Sequence, residues 1–461
     1  MPKRCLFRPH CGPQVHGHTM TDRSDDIARP SFGELVRVGA RIGCLSFGGP
    51  AGQIALMHRE LVDERRWVSE DQFLHALNFC HLLPGPEAQQ LATWIGWKLH
   101  GNRGGLAMGL LFVLPGAAVI LSLSMLYVAA AGLGWFAALF LGIKAAVLAI
   151  VVQALLRIAG RALGTPVRKT IAVAAFAGLA LFAVPFPLIV LGAGAVGMVI
   201  AARRPDLLGI KAMTPCAAGG PRPWGVTIRA LAIGGAIWAL PMALVLSALG
   251  TDHVLWKIGL FFSKLAVVTF GGAYAVLSYM AQQAVDGFGW LNAGEMADGL
   301  GLAETTPGPL IMVTQFVGYV AAFRAPEPFG PWLAGLLGAM LTTWMTFVPC
   351  FMWIFALAPW LDRLENAPRL NGGLAAITAA VVGVIANLTL WFALHVLFAR
   401  VDQHSAGPLV LDVPDLSSLD WRVAAIAAAS AIMIFRLRMG IMATLGLCAL
   451  AGLALSGAGA F

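Results

Sequence analysis

Four short runs stand out by what their residues can bind. Phe47-Gly48-Gly49-Pro50 and Phe270-Gly271-Gly272 each follow a cation, Arg41 or Lys264, set six residues ahead of the phenylalanine. Pro84-Gly85-Pro86 and Pro307-Gly308-Pro309 come later in the same order. Glycine frees the backbone and proline removes a donor, so each run interrupts a helix. A proline at the first position of the next helix costs nothing. Such a helix start presents unpaired N–H groups and the positive end of the helix dipole, which together attract anions. The chemistry expected is anion recognition by backbone, with Arg41 and Lys264 roughly 9 Å along their helices from the breaks. The competing reading is close helix packing through small residues, with both cations snorkelling to the surface. His81 and Glu304, just before the Pro-Gly-Pro runs, and Glu87, just after the first, are candidates to carry a coupling proton or simply to cap a helix. Lys144 lies about ten residues into an apolar stretch and must face a carboxylate or the anion.

These runs need apolar helices to position them. Of 461 residues 59% are apolar and 12% charged, with a mean hydropathy of +0.79. A soluble domain carries about a quarter charged residues. Apolar stretches recur at Leu106–Ala130, Trp135–Leu156, Val226–Leu249, Trp332–Leu357 and Leu374–Phe398. Each is about 20 residues or more, enough to cross a hydrocarbon core of roughly 30 Å. The fold class expected is therefore all-α, a polytopic integral membrane protein in the lipid bilayer. The net charge of +8 comes from short loops between spans, which fits basic loops kept inside rather than nucleic-acid binding. The seven cysteines are dispersed without a CxxC pair. The leader, with Cys5, His10, Cys11, His16 and His18, reads as a cytosolic tail or as sequence upstream of a start at Met20, ahead of a weaker metal reading. No metal site or cofactor is expected.

Adding 223 to a residue number superimposes Arg41–Gln90 on Lys264–Val313 without a gap. Phe47-Gly48-Gly49 falls on Phe270-Gly271-Gly272, Trp67 on Trp290, and Pro84-Gly85-Pro86 on Pro307-Gly308-Pro309. Matched Gly, Pro, Trp and Asp at one register mark a duplication. The division expected is a tail over 1–31, a first repeat over 32–203, a linker with one inverting helix over 204–252 and a second repeat over 253–461. Arg161, Arg168, Lys169, Arg203 and Arg204 flank the last helical pair of the first repeat, whose tip is Pro185-Phe186-Pro187. In the second repeat the tip itself is basic, Arg436-Leu437-Arg438, and the preceding loop holds Asp402, Asp412, Asp415 and Asp420. Basic loops inside then make the two halves an inverted-topology repeat with re-entrant or broken helices. The arms Phe32–Ser46, Ala51–Arg65, Ser69–Leu82 and Glu87–His100 are too short for a full crossing, and Ser69/Gln72 and Asn292/Glu295 read as capping boxes.

Phe47-Gly48-Gly49-Pro50, Trp67-Val68-Ser69, Leu83-Pro84-Gly85-Pro86 and the run GLLFVLPG at 109–116 resemble the chromate ion transporter family, in its long two-domain type. The resemblance implies a bacterial inner-membrane protein that exports chromate and confers resistance to it, and the loop charges put the N-terminus in the cytoplasm and the C-terminus in the periplasm. It places Phe47, Gly48, Gly49, Pro50, Pro84, Gly85 and Pro86 at the substrate, with Arg41 ahead of them. The second copy departs, with Ala273 for Pro50, Thr306 for Leu83 and Val348-Pro349-Cys350 for Leu114-Pro115-Gly116. The alternative is a sulfate or general oxyanion carrier, because an N–H cradle separates tetrahedral dianions poorly. No P-loop, HExxH or Asp-rich cluster lies in a span, so neither an ATP pump nor an enzyme is expected. The expected partners are the anion and the bilayer, with a homo-oligomer compatible with the reading and no nucleic acid.

Overall fold

The computed structural model describes residues 30–47, 49–210, 223–270, 273–361, 367–407 and 409–457. The leader's Cys/His cluster, Gly48 and the Gly271-Gly272 pair therefore lie outside the described residues.

The first half opens with three short helices, α1 (Phe32–Leu45), α2 (Gly49–His58) and α3 (Glu70–His81). Longer ones follow: α4 (Glu87–Ala130), α5 (Gly134–Ala162), α6 (Pro166–Ala180) and α7 (Phe186–Arg203). Helix α8 (Trp224–Leu249) joins the halves. The second half runs through α9 (Val254–Val268), α10 (Ala273–Gln282), α11 (Ala293–Thr305), α12 (Val313–Arg324), α13 (Pro331–Leu357) and α14 (Pro368–Leu397). It ends in α15 (Trp421–Ala431) and α16 (Ile441–Gly457). The protein is an all-α polytopic membrane protein, and six helices among the described residues are long and apolar enough to cross a membrane. One departure is a small antiparallel hairpin, β1 (Val401–Ala406) with β2 (Leu409–Pro414), in the acidic loop of the second half.

Local chemistry sets the breaks. Both capping boxes form: Ser69 and Gln72 exchange side-chain and backbone bonds at the start of α3, and Asn292 and Glu295 do so at α11. Each box satisfies two orphan N–H groups of a helix start. Within α4 the chain leaves helical geometry at His100 and Gly101, so its first arm ends there before the long span resumes. Several hydrogen bonds recur 223 residues apart. Trp67 N–H donates to Leu61 O and Trp290 N–H to Ala284 O; Phe47 N–H donates to Leu45 O and Phe270 N–H to Val268 O. Each turn before Trp67 and Trp290 is a π-helical stretch, Arg59–Glu64 and Gln283–Gly287.

The core interleaves the halves. One cluster joins α1–α4 to Ile354 and Ala358, at the end of α13 and just beyond it. The largest joins Tyr127, Phe136 and Ile143 of the first half to Phe262, Leu277, Met296, Phe316 and Phe392 of the second. Each set of short helices is thus held against a long span from the opposite half, which is what positions the breaks.

Candidate functional site: two crossed helix breaks

The Pro-Gly-Pro tip of each half meets the Phe-Gly break of the other. Gly85 N–H donates to Thr269 O at 2.8 Å, and Gly308 N–H donates to Ser46 O at 2.9 Å. Because 85 and 308, and 46 and 269, both differ by 223, these are one contact made twice. Behind each tip sits a long, proline-containing span of the other half. A Cβ on Gly116 would lie 2.6 Å from Pro307 O, and one on Gly85 would lie 2.7 Å from Cys350 Sγ. Gly85 (φ +122°) and Gly308 (φ +95°) occupy backbone conformations that favour glycine. The hydroxyls of Ser46 and Thr269 turn back to Ile42 O and Leu265 O, so their carbonyls remain the groups offered to the tips.

The two halves line these crossings differently. In the first half, Gln53, at the Gly308–Ser46 crossing, and Gln89, Gln90 and Thr93, just after the Gly85 tip, are buried. Gln53 Nε2 donates to Gly308 O at 2.6 Å and to Ser46 O at 3.5 Å, and Gln90 Nε2 donates to Pro84 O at 2.8 Å. The equivalent residues of the second half are Val276, Met312, Val313 and Phe316, all buried and apolar. Among the described residues Gln89 Oε1, Gln90 Oε1 and Trp94 Nε1 are buried without a hydrogen-bond partner. Unpaired polar atoms cost free energy in an apolar interior, so a polar occupant of this region, an anion or its waters, would satisfy them.

Of the residues singled out from sequence, the structure gathers Pro84, Gly85, Pro86, Pro307, Gly308 and Pro309 with the residues that precede the breaks. Gly49 (φ +69°) starts α2 with Pro50 next to it, and Phe47 stays largely exposed. Arg41 is not free: its side chain is 55% exposed and its Nε lies 3.4 Å from Glu60 Oε1, a buried carboxylate that Arg65 Nη1 also holds at 2.5 Å. Lys264 is exposed, as is His81; Glu87 is half-buried and Glu304 buried. Lys144 faces a carboxylate, Asp298, at 3.4 Å. Sequence reasoning passed over Ser46 and Thr269, although their shared hydroxyl at the 223 offset was a visible signal. Gln53 and Asp298 carried no such signal, because their counterparts, Val276 and His75, are unlike them.

At the charged turn of the first half, His58 bridges Glu70 Oε2 at 2.6 Å and Asp63 Oδ2 at 3.2 Å. Burial lowers its pKa, but the two carboxylates outweigh that and hold it above the usual 6.5. The second half replaces this with a two-point pair between Arg324 and Glu295. Among the described residues no group of three His, Cys, Asp or Glu side chains is placed to hold a metal ion.

The chain is similar over most of its length to curated transport proteins. It is 34% identical over 381 residues to a chromate transport protein of Pseudomonas aeruginosa, covering 80% of this chain and 83% of that protein. It is 29% identical over 360 residues to a probable chromate transport protein of Synechococcus elongatus, covering 77% and 83%. A chromate transport protein of Cupriavidus metallidurans matches at 28% over 361 residues, covering 77% and 81%. No solved structure matches the chain. The family match falls on residues 33–198 and 256–453, the two halves whose breaks cross, so the chain belongs to the chromate transporter family, a family of membrane transport proteins rather than enzymes.

Proposed function

We propose that this protein carries chromate outward across the bacterial inner membrane and so confers resistance to it. The observation that supports this most is the doubled crossing, Gly85 to Thr269 and Gly308 to Ser46, in a chain of this family. It draws helix starts from both halves to one region, with buried polar side chains supplied by the first half. Export of a dianion from a negative-inside cell runs downhill in potential, by about 2.3 kcal/mol per charge per 100 mV. The substrate contacts in this reading come from Phe47, Gly48, Gly49 and Pro50 with Pro84-Gly85-Pro86, and from Gly271, Gly272 and Pro307-Gly308-Pro309. Arg41 and Lys264 then act as outlying cations that raise the local anion concentration.

The halves are read as inverted repeats over 32–203 and 253–461, with α8 performing the inversion. Supporting this, Val410 N–H in the acidic hairpin of the second half donates to Leu181 O, beside the uncharged tip of the first half's last helical pair. Loop charge assigns both to the periplasmic side.

The test is uptake of labelled chromate into everted membrane vesicles that contain the protein, with and without excess sulfate. Energised uptake that sulfate barely reduces is expected. Abolition by sulfate would make the protein a general oxyanion carrier, and absence of uptake would remove chromate as its cargo.

A further inference from the structure

A buried charged cluster lies apart from the crossing. Asp298, on α11, is 3% exposed. Its Oδ2 accepts a hydrogen bond from the Tyr127 hydroxyl at 2.7 Å and lies 3.4 Å from Lys144 Nζ. Its other oxygen, Oδ1, is buried and has no hydrogen-bond partner among the described residues. The carboxylate belongs to the second half, whereas Tyr127 (α4) and Lys144 (α5) belong to the first. The pair therefore ties α11 to the opposite half.

Three features set this cluster apart from inherited packing. The duplication did not copy it: Asp298 corresponds to His75, Lys144 to Leu374, and α13 contains no tyrosine. A carboxylate kept only to latch two helices needs both oxygens satisfied, since an unused buried acceptor costs free energy. Finally, α11 leads directly to Pro307-Gly308-Pro309, with Asp298 roughly 13 Å up the helix from the tip. A change at Asp298 thus acts on the rigid element that carries one of the two crossed tips.

Resting on the transport reading above, we propose that Asp298 is the residue that binds and releases a proton during the transport cycle. The proton adds to Oδ1, the oxygen with an unused lone pair, and leaves it again on the other side of the membrane; no other bond forms or breaks. In the ionised state Asp298 holds Lys144 and fastens α11 to α5. Neutralised, it loses that attraction and leaves the Lys144 charge uncompensated, so α11 and its tip are released from the first half. The groups facing Asp298 are Lys144 from α5, Tyr127 from α4 and Glu295 one turn away on α11. Glu295 is itself held by Arg324 of α12, and Tyr319 is the other titratable group of that helix. Helix α14, also against α11, carries only Arg369 and His395, close to its two ends.

The experiment compares wild type, Asp298→Asn and Tyr127→Phe in everted vesicles by two readouts. One is chromate accumulation driven by an imposed pH gradient. The other is counterflow, the exchange of labelled for unlabelled chromate without a gradient. Asn keeps the size of Asp and an oxygen for Tyr127, so Asp298→Asn is expected to lose gradient-driven accumulation roughly tenfold or more while counterflow stays within about twofold. Tyr127→Phe removes one donor to the ionised carboxylate and is expected to move the pH profile of transport upward without abolishing it. Full gradient-driven accumulation by Asp298→Asn would overturn the proposal, as would loss of both readouts together or an unmoved profile in Tyr127→Phe. A wild type that moves chromate but ignores the pH gradient would overturn it too, with the transport reading intact. A wild type that moves no chromate would remove that reading itself, and this proposal with it.

Discussion

The two halves share the backbone of their crossed breaks and differ in the side chains around it. Gly85 on Thr269 and Gly308 on Ser46 repeat the same bond within 0.1 Å, 2.8 against 2.9 Å. The first half buries Gln53, Gln89, Gln90 and Thr93 beside them; the second buries Val276, Met312, Val313 and Phe316 at the equivalent positions. Backbone geometry was kept through the duplication because each tip is locked by a carbonyl and by a close approach that admits no larger residue. Side-chain chemistry was free to diverge, since one polar lining suffices for one anion. A pair of equal sites would have kept both linings polar. The molecule is better described as a symmetric backbone frame whose buried polar side chains come from the first half.

The largest expected effect tests the frame. Gly308→Val places a branched side chain at φ +95°, with its Cβ 3.0 Å from the Gly116 Cα, a backbone atom that cannot move aside. Transport should fall by roughly a hundredfold while protein remains in the membrane, as vesicle uptake beside an immunoblot would report. Gly85→Ala should be milder, roughly tenfold, because its nearest neighbours are the ends of side chains, Cys350 Sγ and Gln90 Nε2. Adding Cys350→Ala should recover part of that loss. Equal damage at both glycines would mean that backbone strain alone governs the tips.

The one-sided lining is tested next. Gln53→Leu gives the first half an apolar residue where the second has Val276, and removes the donor to Gly308 O. An unsatisfied buried carbonyl costs about 1–3 kcal/mol, so uptake should fall roughly tenfold. Unchanged uptake would show that the polar lining is not used. A smaller effect is expected from the outlying cations. Arg41→Gln leaves Glu60 with Arg65, and the half-exposed pair it removes is worth about 1 kcal/mol or less, so the apparent affinity for chromate should weaken by a few-fold at most. Lys264→Gln should change it less. Equal shifts in concentration dependence would restore a symmetric site.

The smallest effect concerns the charged turn of the first half. His58 is raised by its two carboxylates, so its charged form stabilises the fold below the unfolded value of 6.5, and that contribution is lost as pH rises through the raised folded value. The melting temperature of purified protein should decline over that window. His58→Gln should flatten this part of the profile, and an identical decline in both proteins would assign the effect to another group.

Much of this was readable before any coordinates. Hydropathy located the long spans because a helix in lipid must be apolar over a length set by the bilayer, a property of the local chain. Ser69 with Gln72 and Asn292 with Glu295 announced helix starts because a capping box closes within four residues. The matched Phe-Gly and Pro-Gly-Pro runs announced the breaks, since Gly and Pro act on the backbone where they stand. Arg41 was readable as a cation ahead of the break, but its ion pair with Glu60, nineteen residues on, was not.

By itself, then, the sequence determined an all-α membrane protein with two copies of a broken-helix unit, because hydropathy, capping and helix breaking are short-range effects. Only the tertiary structure decided that each tip binds the other half's break, that Gln53 reaches Gly308, and that Asp298 meets Tyr127 and Lys144. Those partners lie more than 150 residues apart in the chain. Their meeting depends on which long span each set of short helices packs against, and a local pattern carries no record of that choice.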